Sequence, residues 1–386
     1  MKLRTSLRIT ALAAGAALAA SFSLVPPPAD TAPPGPRAPY LQDDRGTSMT
    51  VCWTTQRRQQ TQAWVRPVGE GGARTVRLPG RRLRHQVTLP GLEPGRRYEY
   101  RVRTDRGRSR WTRFRTRPAD GSPFTLAAWG DVGQCGPPQE AVIRVLQKEN
   151  PDFAVALGDL GYPTASERTL TSCFFRPLAR YADSHVVWHV FGNHDLAADD
   201  GLPLQRASAT PENGPPGLPP HRNYSFDYGS AHCVVLDASL DLPTLRNVVR
   251  PWLRDDLQAT AARWKLVFMH NPIYSGGDHG DSEKLRSGLA PVFERQGVDL
   301  VFAGHDHNYQ RLHPINGVTY VVSGNGGARL YPFEGPSDAR TAARQDGRYG
   351  ITFLRIEGDH AVLRHLDDRG REFDRHELAP RAAEEG

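Results

Sequence analysis

Two patterns of hydrophobic residues divide the chain near residue 120. Before that point, short runs alternate apolar and polar residues with a period of two, and turn residues separate them; the runs are 49–53, 62–65, 85–89, 98–102 and 113–116. Short strands at such close spacing are typical of an all-β sandwich. We therefore predict an N-terminal β-sandwich domain over residues 39–118.

After residue 121 the pattern changes to nearly continuous apolar runs, which predict strands at 124–129, 153–157, 186–191, 233–236, 266–269, 300–302 and 318–322. Apolar residues at helical spacing predict a helix around 141–146 and further helices at 252–259 and 283–294. Runs at 351–356 and 361–366 predict an antiparallel pair. Continuous apolar strands indicate sheets covered on both faces, so we expect an α/β domain over 122–380.

The first segment has the pattern of a secretory signal peptide. Lys2, Arg4 and Arg8 precede an uncharged, Ala-rich run at 11–24. A retained membrane anchor is the alternative, but the run is short and prolines follow it at once, so we predict a signal peptide at 1–25 and a Pro/Ala-rich linker at 26–38. We expect a secreted or extracytoplasmic mature chain without a transmembrane segment.

The net charge of +7 hides two opposite parts. Residues 37–118 contain 20 arginines, no lysine and six acidic residues, a net charge of +14, whereas residues 119–386 carry −9. We favour a solvated basic face on the N-terminal domain. A surface that binds an anionic polymer such as polyphosphate or nucleic acid is the alternative.

Five of the predicted strands end in potential metal ligands. These are Asp131, then Asp159 and Tyr162, then Asn193 and His194, then His270, and finally His305 and His307. The carboxyl ends of strands are where open α/β sheets bind ligands. A glycine precedes the ligand in four of the five cases, which leaves room for a sharp turn. Carboxylate, amide and imidazole groups together suit two borderline-hard cations rather than a structural zinc.

The four cysteines are an even number in a chain that we expect to be exported. Cys135 and Cys173 each follow a motif that we place at one rim of the same site, so we predict a disulfide between them. Unpaired buried cysteines remain the alternative.

The ordered ligand set resembles the calcineurin-like metallophosphoesterases and, within them, the purple acid phosphatases, which add a fibronectin type III-like N-terminal domain. Tyr162, three residues after Asp159, matches the subfamily marker. Residues 89–98 resemble the turn and strand of a fibronectin type III-like domain, and residues 223–229 resemble a family strand. The resemblance implies a β-sandwich followed by a four-layer α/β/β/α sandwich.

The resemblance also implies roles for individual residues. It places a ferric ion on Asp131, Asp159, Tyr162 and His307. It places a second ion, Fe(II), Zn(II) or Mn(II), on Asp159, Asn193, His270 and His305. It implies that His194, His279 and Asn193 bind the substrate phosphate, with His194 assisting proton transfer and His279 protonating the leaving group. We further expect Asp195 to orient His194.

The implied function is a secreted acid phosphatase that hydrolyses phosphate monoesters by attack of metal-bound hydroxide. A phosphodiesterase or nucleotidase with the same metal site, or a polyanion-binding protein acting through the Arg-rich N-terminal domain, are the alternatives. The loop at 276–280 is richer in glycine than its counterpart in the plant enzymes. Two interpretations are open for the Pro-rich insertion at 197–220, namely a lid or rim over the site and a disordered surface loop.

Overall fold

The computed structural model describes residues 35–119 and 121–379. The predicted signal peptide and most of the predicted linker lie outside these residues. None of the helices in the described ranges combines the length and the apolarity that crossing a bilayer requires.

Six strands form the N-terminal β-rich part. They are β1 (Tyr40–Gln42), β2 (Ser48–Pro67), β3 (Arg74–Pro90), β4 (Arg97–Thr104), β5 (Gly107–Arg108) and β6 (Thr112–Arg115). The runs at 49–53 and 62–65, which the sequence separates, are the two halves of one 20-residue strand, β2. Its register against β3 shifts between Thr54 and Gln62, so the polar residues that resemble a turn form a bulged part of the strand.

The two halves of β2 have different neighbours. The first half pairs with β1, where Leu41 lies opposite Val51, and the second half pairs with β4, where Ala63 lies opposite Val102. These residues belong to one buried core. A single bulged strand therefore connects β1 at one end to β4 at the other within the same sheet.

The remaining elements alternate between strands and helices. The strands are β7 (Phe124–Trp129), β8 (Phe153–Ala156), β9 (Val186–His189), β10 (Tyr224–Tyr228), β11 (Ala231–Leu236), β12 (Trp264–Met269), β13 (Leu300–Ala303), β14 (Tyr309–Leu312), β15 (Thr319–Ser323), β16 (Thr341–Gln345), β17 (Gly350–Glu357), β18 (His360–Asp367) and β19 (Glu372–Leu378). The helices are α1 (Pro137–Glu149), α2 (Glu167–Thr169), α3 (Arg176–Ala182), α4 (Asn193–Leu196), α5 (Leu202–Gln205), α6 (Leu242–Thr244), α7 (Arg250–Ala259) and α8 (Glu283–Arg295), with π-helical turns at Leu170–Phe175 and Leu245–Val249.

The described strands form two sheets that pack face to face. The first sheet runs β19-β18-β17-β7-β8-β9-β1-β2-β4-β5, with β3 added to β2 and β6 added to β4, and the second runs β10-β11-β12-β13-β15-β14-β16. Phe124, Leu126 and Ala128 of β7 belong to the core that also contains residues of the second sheet, whereas Ala127 and Trp129 belong to the core under α1. Successive side chains of a strand point to opposite faces, so both faces of β7 are buried.

Helices cover the outer face of the α/β strands in each sheet. Residues of α1 and α3 pack on β8, β9 and β17, and residues of α7 and α8 pack on β11, β12 and β13. This arrangement confirms the predicted four-layer α/β/β/α sandwich. The strands predicted from 124 to 322, the three predicted helices and the β17–β18 pair are all present, with ends that differ by a few residues.

The N-terminal strands continue the first sheet of the α/β part. Strand β1 pairs in parallel with β9, with Leu41 opposite Val186. The insertion at 197–220 packs beside this junction: the Tyr40 hydroxyl donates to the Ala207 carbonyl at 2.8 Å, and Leu204 is buried. The interpretation of the insertion as a disordered loop is therefore wrong.

Candidate metal centre

The predicted ligands come from strand ends of both sheets. In the first sheet, β7, β8 and β9 run parallel and are followed by Asp131, Asp159 and Asn193. In the second sheet, β12 and β13 run parallel and are followed by His270 and by the segment that contains His305 and His307. The two sets of strand ends meet in one place, as the contacts below show.

Tyr162 lies at the centre of a first cluster of ligands. Its hydroxyl oxygen is 3.1 Å from Oδ1 of Asp131, 3.0 Å from Oδ2 of Asp159 and 3.1 Å from Nε2 of His307. His307 Nε2 is also 3.3 Å from Asp131 Oδ1. The structure thus brings together the four residues expected to hold one ion.

His270 lies at the centre of a second cluster. Its Nε2 atom is 3.1 Å from Oδ1 of Asn193 and 3.4 Å from Oδ1 of Asp159. The His305 ring lies against the His270 ring, with 5.1 Å between centroids. Asp159 directs one carboxylate oxygen to each cluster, which is the geometry that a bridging ligand requires. Donor atoms of Asp131, Asp159 and His270 lie within 4.8 Å of one another.

Backbone carbonyls fix the orientation of two of the imidazole rings. His270 Nδ1 is 2.7 Å from the Leu157 carbonyl oxygen, and His307 Nδ1 is 2.6 Å from the Arg329 carbonyl oxygen. A carbonyl can only accept, so in both rings the proton is on Nδ1. Nε2 of each ring is therefore left as the ligand atom. No local sequence pattern indicates these two carbonyl partners.

Three of the ligands have left-handed backbone conformations, namely Asp131 (φ 60°), Asp159 (φ 55°) and His305 (φ 71°). Such strain at non-glycine residues collects at functional sites. The preceding glycines provide the space: a Cβ atom on Gly158 would lie 2.6 Å from Nδ1 of His270, and one on Gly304 would lie 2.8 Å from Oδ2 of Asp131. This close packing explains why glycine precedes these ligands.

Asp195 does not orient the His194 ring, contrary to the prediction. Its buried carboxylate accepts hydrogen bonds from the backbone N–H groups of Asp159, Leu160 and Gly192 at 2.8–2.9 Å. Its role is to hold the turn after β8 against the turn after β9. His194 is instead placed by its Nδ1 atom, which is 2.7 Å from the Pro163 carbonyl oxygen.

The centre concentrates negative charge in a buried place. Burial opposes ionisation of Asp159, but the charge and hydrogen bond of His270 outweigh it and hold the pKa of Asp159 well below its usual range. In His270, burial lowers the pKa, and Asp159 outweighs this effect and raises it to about 10. Burial and the carboxylates of Asp131 and Asp159 raise the pKa of Tyr162 far above its usual range. Ionising Tyr162 here requires added positive charge, which fits a site for metal cations.

Two further histidines border the metal ligands and are partly open to solvent. The His194 side chain is 35% exposed and its ring lies 4.4 Å from the ring of Tyr162. The His279 side chain is 39% exposed and its ring lies 3.9 Å from the ring of His305. Both rings therefore reach the edge of the centre, although they come from loops on different sheets.

Sequence reasoning missed the residue that holds His279. The buried carboxylate of Asp306 accepts hydrogen bonds from the backbone N–H of His279, at 3.0 Å, and from its Nδ1 atom, at 2.8 Å. Gln310 stabilises the same glycine-rich loop, because its Oε1 atom accepts from Gly276 N at 2.8 Å. These contacts hold the His279 ring at the edge of the metal centre. The sequence feature that could have identified this residue is its position, because Asp306 lies between the ligands His305 and His307.

The predicted disulfide joins the loop after β7 to the helical segment after Tyr162. Cys135 and Cys173 are bonded, with 4.7 Å between their Cα atoms. Cys52 and Cys233 are buried thiols. The disulfide thus links two segments that lead away from Asp131 and Tyr162, and the alternative without a disulfide is wrong.

Comparisons with known proteins agree with this geometry. Residues 124–309 match the family model of calcineurin-like phosphoesterases, and residues 36–116 match the model of the purple acid phosphatase N-terminal domain. The chain is also similar in structure to a purple acid phosphatase from yellow lupin seeds (Lupinus luteus), with a TM-score of 0.77 and 19% identity over 89% of this chain and 74% of that one. This likeness supports the fold.

Curated relatives extend the match in sequence. Acid phosphatase type 7 of Homo sapiens is 30% identical over 381 residues, which cover 83% of this chain and 85% of that protein. Purple acid phosphatase 21 of Arabidopsis thaliana is 31% identical over 268 residues, which cover 64% of this chain but only 58% of that protein. The chain therefore belongs to the purple acid phosphatase family of calcineurin-like phosphoesterases.

Proposed function

We propose that the chain is an exported acid phosphatase that hydrolyses phosphate monoesters at a dinuclear metal centre. The observation that carries the proposal is the pair of ligand clusters that share Asp159, bordered by the rings of His194 and His279. A purely structural metal site would be closed by its ligands, whereas two solvent-open histidines beside this one leave room for a substrate.

The donor sets fit two different cations. Carboxylate and phenolate oxygens with one imidazole, from Asp131, Asp159, Tyr162 and His307, suit a hard ferric ion. A set with two imidazoles and an amide, from Asp159, Asn193, His270 and His305, suits Fe(II), Zn(II) or Mn(II). When bound, two such cations neutralise the charge of the phosphoryl group and lower the pKa of the attacking water.

The other side chains bind and orient the substrate in this proposal. His194 and Asn193 are adjacent at the start of α4. Nε2 of His194 lies 3.9 Å from Oδ2 of the shared Asp159, and Oδ1 of Asn193 lies 3.1 Å from Nε2 of His270, so in this proposal the two side chains hold the phosphate beside the ligand clusters. His279 donates the proton to the leaving oxygen. Because Asp306 occupies its Nδ1 atom, Nε2 is the atom that transfers this proton.

Metal analysis with an optical spectrum tests the metal centre. We expect two metal ions per chain, at least one of them iron, and a visible absorption band. Asp159→Ala should lose both metals and activity, whereas Asp199→Asn, at an exposed acidic residue that belongs to neither ligand cluster, should keep them. A fully loaded, active enzyme without iron would contradict the proposed ferric ion.

Turnover of mono- and diester substrates tests the reaction class. We expect a higher kcat/KM for an aryl phosphate monoester than for the matching diester. The reverse order would favour the phosphodiesterase or nucleotidase alternative. Export is tested separately, because N-terminal sequencing of secreted protein should find a start near residue 26.

A further inference from the structure

The N-terminal part carries a row of alternating arginine and tryptophan side chains, which we call the Arg–Trp ladder; its order is Arg66, Trp111, Arg101, Trp64 and Arg108. The distances from each guanidinium carbon to the neighbouring ring centre are, in that order, 4.4, 4.4, 5.4 and 4.8 Å. These are cation–π distances. Each of the two indole rings thus contacts two guanidinium groups and restricts their freedom to move.

The ladder lies on the outer face of the sheet. Along β2, Val65 points into the buried core, so Trp64 and Arg66 point away from it. Trp64 is opposite Arg101 on β4, and the neighbouring strands add Arg103 and Arg113 to the same face. Arg103 and Arg108 are exposed, and the Arg113 side chain is 76% exposed.

The positive charge of this face is mostly uncompensated. Glu99 pairs with Arg66 through a hydrogen bond of 2.6 Å and lies 4.0 Å from Arg113. In the part of the chain that the structure describes, the guanidinium groups of Arg101, Arg103 and Arg108 form neither a hydrogen bond nor an ion pair. Burial, followed by repulsion from Arg108 and Arg66, lowers the pKa of Arg101. An anion on this face would relieve that repulsion.

We propose that the Arg–Trp ladder is a docking surface for a linear phosphate polymer, specifically inorganic polyphosphate. A polymer engages several arginines at once, and guanidinium groups that are already oriented lose little entropy on binding. Single-stranded nucleic acids gain much of their binding energy by stacking bases on aromatic faces. Here each indole already contacts two guanidinium groups, so the surface suits a ligand that offers charge and phosphate oxygens alone.

Binding of the mature full-length chain to immobilised medium-chain polyphosphate tests the proposal. Excess orthophosphate is included to occupy the catalytic site. We expect affinity to fall steeply with salt concentration. Arg101→Gln/Arg108→Gln should bind roughly tenfold more weakly and show a shallower salt dependence, since two phosphate contacts are lost. Its turnover of a small aryl phosphate should be unchanged.

Two further variants separate the ladder from diffuse positive charge. Arg57→Gln/Arg58→Gln removes the same charge from exposed positions at the bulge of β2 and should bind like wild type. Trp111→Leu keeps every charge but removes the ring between Arg66 and Arg101, and it should weaken binding. Circular dichroism and thermal unfolding identify a variant that fails to fold. If Trp111→Leu does not fold, the comparison of the two double-arginine variants alone tests the proposal.

Several outcomes would overturn the proposal. An equal loss of polyphosphate affinity in the two double-arginine variants would show that binding depends on net charge and not on the ladder. Stronger competition by single-stranded DNA or heparin than by polyphosphate of equal charge would assign the surface to another polymer. No retention at low salt would rule out a polyanion surface, and would leave the proposed phosphatase activity unaffected.

Discussion

Gly158→Ala tests whether close packing of glycine against the ligands shapes the metal centre. Gly158 has φ 91°, and a Cβ atom there would lie 2.6 Å from Nδ1 of His270 and 2.9 Å from the backbone nitrogen of Gly192. The left-handed conformation costs alanine about 1–2 kcal/mol. Overpacking adds about 1–3 kcal/mol, because His270 has to move away from the Leu157 carbonyl.

Gly69→Ala is a matched control, because Gly69 has φ 86° and nothing lies within 4 Å of its added Cβ atom. Both variants carry the conformational cost, and only Gly158→Ala carries the packing cost. We therefore expect Gly158→Ala to have a free energy of unfolding about 2 kcal/mol lower than that of Gly69→Ala. For a folded unit of this size, the difference corresponds to a Tm roughly 3 °C lower.

Differential scanning calorimetry measures this difference, and metal analysis measures its consequence at the site. Displacement of His270 should lower occupancy of the second metal and kcat in Gly158→Ala, while Gly69→Ala keeps both. If the two variants melt within about 1 °C of each other and bind metal equally, the packing argument is wrong, because the measured gap would then be too small for the expected overpacking.

Three further predictions follow from single contacts. Tyr162→Phe should lose the visible absorption band, since the phenol oxygen is removed; a coloured variant would contradict its role as a ligand. Asp306→Asn should lower kcat about tenfold for a poorly activated alkyl phosphate and less for an aryl phosphate, because His279 is held less well; equal losses would indicate a general structural effect. Burial lowers the pKa of His232, but hydrogen bonds with Asp227 and Asp256 outweigh it and raise the pKa to about 9. The stability that this charged histidine contributes, about 2–3 kcal/mol, is complete below pH 6.5 and is lost as pH rises through 9. Calorimetry should therefore show a gap in Tm between wild type and His232→Gln that shrinks over this range, and a constant gap would refute the ion-pair account.

The pattern of apolar residues was sufficient to predict most strands and helices of the α/β part. Strands such as β7 and β12 are nearly continuous apolar runs, interrupted only by Thr125 and Lys265, because both of their faces are largely buried. Strand β14 has the polar sequence Tyr-Gln-Arg-Leu and was missed, although it is equally buried. Its Arg311 pairs with Asp374 of β19 at 2.7 Å, and such a pairing between distant residues cannot be read from a local pattern.

In the N-terminal part too, a local pattern does not reveal pairings between distant residues. Local alternation predicted β-structure, but the polar residues between the two runs of β2 resemble a turn. They form a bulged strand because β3 pairs with β2 on either side of the register shift. The parallel pairing of β1 with β9, which joins the two parts in one sheet, likewise depends on contacts between residues 145 positions apart.

For the metal centre, the sequence by itself determined which side chains are present, because glycine followed by a polar residue at a strand end is a local signal. The tertiary structure decided how they are held. The Leu157 and Arg329 carbonyls select the ligand nitrogens of two histidines, and Asp195 and Asp306 fix the loops that carry ligands and His279. Such partners are chosen by distance in space, and backbone carbonyls are the same in every residue, so no pattern along the chain marks them.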